Sequence, residues 1–231
     1  MCIRDRSYLG NIIVNGHNDI SGRVSSNSTV EVQIPISKTK SEKNNYVKDL
    51  QTLGPEKFAK KIKETPYTLI TDTTMRDAHQ SLLATRMRTD DLINIAEYYS
   101  ENLSNLFSLE CWGGATFDTS MRFLKEDPWD RLARLNKRAP NLLKQMLFRG
   151  SNAVGYKNYP DNVVKHFIQQ SAEAGIDVFR VFDSLNLIDN MRVAIDEVRN
   201  QNKICEGTIC CLLYTSPSPR DATLSRMPSS A

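Results

Sequence analysis

Hydrophobic and polar positions along the middle of the chain alternate between two periods. Tyr67-Thr68-Leu69-Ile70-Thr71 is a short apolar, β-branched run that predicts a strand. Thr89-Asp90-Asp91 then caps a helix whose Leu92, Ile95, Ala96 and Tyr99 fall at helical spacing. A second strand is expected over residues 106–110. A helix over 128–138 carries Trp129, Leu132 and Leu135 on one face, and a third strand follows over 143–148. Pro160-Asp161 opens a helix with Val163, Val164, Phe167 and Ile168, and Gly175 ends it. A fourth strand spans 178–182 and a fourth helix 187–199. Glu206 begins a fifth strand that runs to Cys210, where the pattern stops.

Strand starts recur about every 35 to 40 residues with a helix between each pair, which argues for a parallel α/β sheet. Such a sheet is either open and doubly wound or closed as a (β/α)8 TIM barrel. An open sheet wants a glycine-rich phosphate turn after its first strand. Asp72-Thr73-Thr74-Met75-Arg76-Asp77 holds no glycine, so the barrel is expected. The chain supplies about four βα units and part of strand five, an incomplete barrel.

Upstream, Gly54-Pro55-Glu56 opens a short helix with Phe58, Ala59 and Ile62 as its apolar stripe. Residues 21–45 are rich in Ser, Asn and Lys, with one short strand candidate over 30–34, and read as a linker. Residues 1–7 are charged and patternless. Residues 215–231 are rich in Ser and Pro without apolar periodicity, a disordered composition. Both ends resemble translated sequencing adapter. The expected organisation is a non-native end over 1–7, a linker region over 8–64, a half barrel over 65–210 and a non-native tail over 211–231.

Composition narrows the classes further. The chain has 231 residues, with 30 Lys plus Arg against 27 Asp plus Glu, a formal net charge of +3. So slight a balance is no argument for a nucleic-acid partner. No apolar run reaches the ~20 residues of a membrane-spanning helix, and no signal peptide is recognisable, so a cytoplasmic protein is expected. Cysteines at 2, 111, 205, 210 and 211 match no disulfide framework or zinc spacing and are expected to be thiols. His17, His79 and His166 lie far apart, so a metal site built mainly of histidine is not expected.

In parallel α/β folds chemistry gathers at the carboxyl ends of the strands. Asp72, Arg76, Asp77, His79 and Gln80 follow the first strand; Glu110, Cys111, Trp112 and Asp118 the second. Arg149-Gly150-Ser151-Asn152 follows the third, and Asp183, Ser184 and Asn186 the fourth. Asp183 and Asp118 serve equally well as caps of the next helix. The arginines suit an anionic substrate, because a planar guanidinium matches a carboxylate, and Glu110 could hold such an arginine in place. Two arginines and an amide around a carboxylate point to a small oxyacid near a hard divalent cation. Asp77 alone cannot hold that metal, and its partners would have to lie beyond residue 210.

Long motifs carry a resemblance. Residues 71–86, Thr-Asp-Thr-Thr-Met-Arg-Asp-Ala-His-Gln-Ser-Leu-Leu-Ala-Thr-Arg, resemble the start of the biotin-dependent carboxyltransferase domain of the pyruvate carboxylase family. So do Glu110-Cys111-Trp112-Gly113-Gly114-Ala115-Thr116-Phe117-Asp118, Phe148-Arg149-Gly150-Ser151-Asn152-Ala153-Val154-Gly155-Tyr156 and Phe179-Arg180-Val181-Phe182-Asp183-Ser184-Leu185-Asn186. The segment from Tyr8 to Gly16 looks like the one that follows that family's biotin carboxylase domain. The resemblance covers roughly Tyr8 to Cys210.

It implies carboxylation of pyruvate to oxaloacetate, with the carboxyl group delivered by carboxybiotin on a carrier domain. ATP and bicarbonate would be used by another domain, and neither domain is recognisable in this chain. It also implies a divalent metal, zinc or manganese, and a homotetramer in the full-length family. Carried over residue by residue, Asp77 matches a metal ligand, Arg76 and Gln80 match catalytic residues that contact pyruvate oxygens, and Arg149 matches a substrate-binding arginine. His79 lies inside the motif without matching a ligand. The family's carbamylated lysine, His-x-His pair and catalytic threonine have no counterpart here, so the polypeptide is expected to be inactive alone. A catalytically silent interaction module, or a carboxyltransferase subunit of the oxaloacetate decarboxylase type, are the alternative readings.

Overall fold

The structure, a computed structural model, describes residues 45–79 and 87–210. The expected strand over 30–34, Gln80 and both chain ends lie outside these residues.

Among the described residues five parallel strands pair in the order of the chain, β1 (Thr71–Asp72), β2 (Ser108–Gly113), β3 (Leu143–Phe148), β4 (Val178–Asp183) and β5 (Ile204–Ile209). The order never reverses, so the sheet has no switch point of the open doubly wound kind and curls into a half barrel instead. Helices α2 (Thr89–Asn102), α4 (Pro128–Arg138), α5 (Asp161–Glu173) and α6 (Ile188–Asn200) cover its outer face, and a short α3 (Gly114–Asp118) follows β2. Leu92, Leu132, Leu135, Val164, Ile168 and Ala194 of these helices bury against Leu109, Met146, Phe148, Phe179 and Val181 of the strands. Strands β2 and β3 are buried along nearly their whole length, yet each carries polar residues, Glu110 in β2 and Lys144 and Gln145 in β3.

Local chemistry sets the helix limits. Asp127 accepts from the Trp129 amide at 2.8 Å and Pro128 takes the first position of α4, so that helix begins where the sequence predicts. The first residue of α2 is Thr89, not its cap. Its amide and hydroxyl donate to the Glu126 carboxylate, which Arg131 also binds. Ile95 and Val163, expected inside, are exposed, because the buried stripes run through Leu92, Ile93 and Ala96 and through Val164 and Ile168.

The first strand is shorter and later than predicted. Tyr67 is exposed, and pairing starts where the Phe107 amide donates to the Ile70 carbonyl. A helix α1 spans Tyr46–Lys63, longer than the sequence suggests, with a break at Gly54 (φ 72°, ψ 167°) just before the predicted start at Pro55. Tyr46, Leu50 and Phe58 of α1 pack on Leu143 and Val178, with Ile204, Leu69 and Phe107 around them. All of these residues stand at or before strand starts, so α1 closes the amino-terminal end of the half barrel. Ala59, expected in that stripe, is exposed.

A bulge in β2 decides which side chains face inward. Glu110 pairs with Gln145 and Trp112 with Met146, so Cys111 is the extra residue. Trp112 thereby turns to the helix side, among Trp129, Phe117 and Phe167, and donates its indole N–H to the Pro128 carbonyl at 3.1 Å. Gly113 turns inward.

Candidate functional site

Asp72, at the end of β1, accepts from the amide of Thr74 at 2.9 Å and from its hydroxyl at 3.1 Å. This shapes a single π-helical turn, Thr74–Ala78, that delivers Arg76 and Asp77 to the carboxyl-terminal mouth of the half barrel. Arg76 is nearly buried. Its Nε donates to Glu110 Oε1 at 2.5 Å, and its Nη1 stands 3.4 Å from Asp77 Oδ1. Glu110 is wholly buried, and its second oxygen accepts from Arg180 Nη1 at 2.9 Å. Glu110 thus holds a strand-end arginine, as expected, but it does so from inside β2 and not from beyond its end. The Asp77 side chain is 49 % exposed.

Arg149 leaves β3 at the same end. Its Nη1 donates to the Gly155 carbonyl at 3.1 Å, and its guanidinium lies over the Tyr156 ring, 5.0 Å from the centroid. Loop 150–155 is tightly made. Gly150 has φ +46°, and a Cβ there would meet the Asn190 carbonyl oxygen at 2.8 Å. Ala153 holds φ 47° and ψ −109°, a strained conformation for a residue with a side chain, costing ~1–3 kcal/mol. The Arg149 amide bonds back to the Ala153 carbonyl at 2.9 Å.

Two consecutive glycines at the end of β2 bring the arginines together. A Cβ on Gly113 would lie 3.2 Å from Arg76 Cδ; one on Gly114 would lie 3.2 Å from Arg149 Cζ and 2.7 Å from the Val154 carbonyl oxygen. Arg76 and Arg149 therefore flank the same point of backbone, and any side chain there would displace one of them. Sequence reasoning quoted these glycines inside a motif and assigned them no role. Their signal was the pair itself, since two adjacent glycines ending a buried strand mark close approach.

The remaining strand-end residues divide cleanly. Asp183 is a cap. It accepts from the Leu185 and Leu187 amides at 2.9 and 3.0 Å and from the Asn190 side chain at 3.1 Å. Burial would raise its pKa, but these donors outweigh burial and hold it below the usual carboxylate range. Asp118 pairs with Arg122 at 3.2 Å. His79 is buried, its Nε2 turned back to the Met75 carbonyl at 3.3 Å. Cys111 is buried in the core, where burial pushes its thiol up to about 12, so it is no nucleophile. Among the described residues no group of three or more His, Cys, Asp or Glu side chains could hold a metal ion. A catalytic metal takes about three protein ligands, so Asp77 and its described neighbours do not complete such a site.

Comparison with known proteins follows the same outline. No protein-family profile matches the chain. Pyruvate carboxylase of Staphylococcus aureus is 52 % identical over 204 residues, and that of Aspergillus niger 46 % over 220; each match covers 88 % of this chain. The chain spans about 18 % of the length of these relatives. Among solved structures, the carboxyl transferase domain of Rhizobium etli pyruvate carboxylase with oxamate and biotin superposes with a TM-score of 0.76 at 52 % identity, covering 95 % of this chain and 36 % of that one. The same domain with pyruvate gives 0.73 at 59 % identity, covering 78 % and 30 %.

Proposed function

This chain belongs to the pyruvate carboxylase family as a stretch of its carboxyltransferase domain, and from that premise we propose that it forms the pyruvate-binding half of the barrel in which pyruvate is carboxylated to oxaloacetate. The observation that carries this reading is the convergence of Arg76 and Arg149 on Gly113 and Gly114 at the mouth. Two guanidinium groups there suit an α-keto acid, which offers a carboxylate and a keto oxygen. In this reading Arg149 binds the carboxylate. Arg76 and Gln80 hold the keto oxygen, whose negative charge grows as the methyl group gives up its proton to a base outside the described residues. Fixed donors aimed at developing charge lower the barrier more than mobile water can.

Asp77 would be one ligand of a divalent metal, zinc or manganese, whose other ligands lie outside the described residues. No step is assigned to that metal. Biotin on a carrier domain would supply the carboxyl group, and ATP and bicarbonate would be consumed on another domain of the whole enzyme, a homotetramer. The polypeptide alone is then inactive.

The test is a graft. Residues 45–210 replace the matching stretch of the Staphylococcus aureus enzyme, and pyruvate carboxylation is measured beside bicarbonate-dependent ATP cleavage. The graft should carboxylate pyruvate. Arg76→Ala and Arg149→Ala should each cut kcat/KM for pyruvate by ~100- to 1,000-fold while ATP cleavage persists. A graft that cleaves ATP normally but never carboxylates pyruvate would overturn the reading in favour of a silent interaction module.

A further inference from the structure

One unbroken path of side-chain hydrogen bonds crosses the inside of the half barrel and touches all five strands. It starts at Arg76, whose Nε donates to Glu110 Oε1. Glu110 Oε2 accepts from Arg180 Nη1 at 2.9 Å, and Arg180 Nε donates to Glu206 Oε1 at 3.1 Å. Glu206 Oε2 accepts from Gln145 Nε2 at 3.1 Å, and Gln145 Oε1 accepts from the Ser108 hydroxyl at 2.5 Å. Ser108 Oγ lies 2.8 Å from Thr71 Oγ1. Because the Ser108 proton is committed to Gln145, Thr71 is the donor in that last bond. The path therefore ends on β1, just ahead of the turn that carries Arg76.

We propose that Arg180 and Glu206 are positioning residues for Arg76, acting through Glu110. Arg76 reaches Glu110 through one nitrogen alone, so that contact orients its guanidinium only if the carboxylate itself is fixed. A glutamate carboxylate turns easily about its last torsion. Arg180 stops that rotation by taking the second oxygen, and it can do so because its own fork is pinned on Glu206 through a different nitrogen. Charges alternate along Arg76, Glu110, Arg180 and Glu206, so each group faces two partners or a partner and the mouth. Side-chain exposure rises from 0 % at Glu110 through 23 % at Arg180 to 40 % at Glu206. The outermost member can thus be altered without emptying the core. That Arg76 is held for an anionic substrate rests on the function proposed above; the coupling itself does not.

The experiment observes the arginine Nε–H groups of the full chain by 15N NMR, with Arg76→Lys assigning the Arg76 signal. Arg131 Nε–H, which donates to Thr89 Oγ1 at 2.9 Å outside this path, is the internal reference. Glu206→Gln keeps one oxygen and can satisfy only one of its two donors. Arg180→Lys keeps the charge and loses the fork. Both should move the Arg76 Nε–H resonance and speed its exchange with water by about tenfold, leaving Arg131 unchanged. Two results would overturn the proposal. One is an unmoved Arg76 signal in both variants. The other is Arg76 and Arg131 loosening together, the mark of a merely structural role. Pyruvate added to the wild-type graft tests the functional reading separately: a graft that never responds to pyruvate sinks that reading while the Arg76 signals still decide the coupling.

Discussion

Asp183 sets the geometry of the loop after β4 through the hydrogen bonds it accepts. Three donors lower its folded pKa, so its contribution is complete above the unfolded value near ~4 and is lost as pH falls through the lower folded value. Asp183→Asn should therefore lower stability at pH 7 by about 1 kcal/mol, since solvent partly screens the group. The gap between variant and wild type should shrink below pH ~4, as followed by urea unfolding across pH. At this scale the sequence was informative wherever a polar residue follows a strand. Asp72, Arg76, Asp77 and Arg149 are all where strand ends predict, and Glu110 does grip an arginine. Gln145, Arg180 and Glu206 have no assigned role in the sequence, because a polar residue in the middle of a strand says nothing of which face it takes. The face depends on register, and the bulge at Cys111 shifts register without any local sequence cue.

Among the elements, α1 shows what propensity hides. Its second half was legible from Pro55 and Phe58. Its first half holds Tyr46, Leu50 and Leu53 at helical spacing, but Lys48, Asp49, Gln51 and Thr52 between them gave that stretch the look of a linker. Packing settles the matter. Phe58 is fully buried, with ring centroids 6.4 Å from Tyr46 and 6.3 Å from Phe107. Phe58→Ala should cost about 3–5 kcal/mol in urea unfolding, because the hole it leaves opens between α1 and three strand starts that cannot collapse. A loss under about 1 kcal/mol would mean that α1 is only loosely seated.

Across the whole molecule, alternation of strands and helices was enough to read a barrel, and the sequential strand order bears that reading out. What no sequence pattern could give is how the inner surface divides. An apolar floor of Leu143, Val178 and Ile204 lies beneath a charged layer of Glu110, Arg180 and Glu206. Among the described residues β5 has no neighbour on its outer side, and Ile209 there is 79 % exposed. Such an edge invites pairing with other chains. Ile209→Lys should reduce concentration-dependent association in light scattering while changing stability by less than about 0.5 kcal/mol.

The seat of α1 fixes how far its own residues stand from the mouth. By plugging the floor, α1 ties the incoming chain to the pole opposite Arg76 and Arg149. A six-residue strand spans ~20 Å from pole to pole. Tyr46, at the start of α1, therefore stands about a strand's length from the two guanidinium groups.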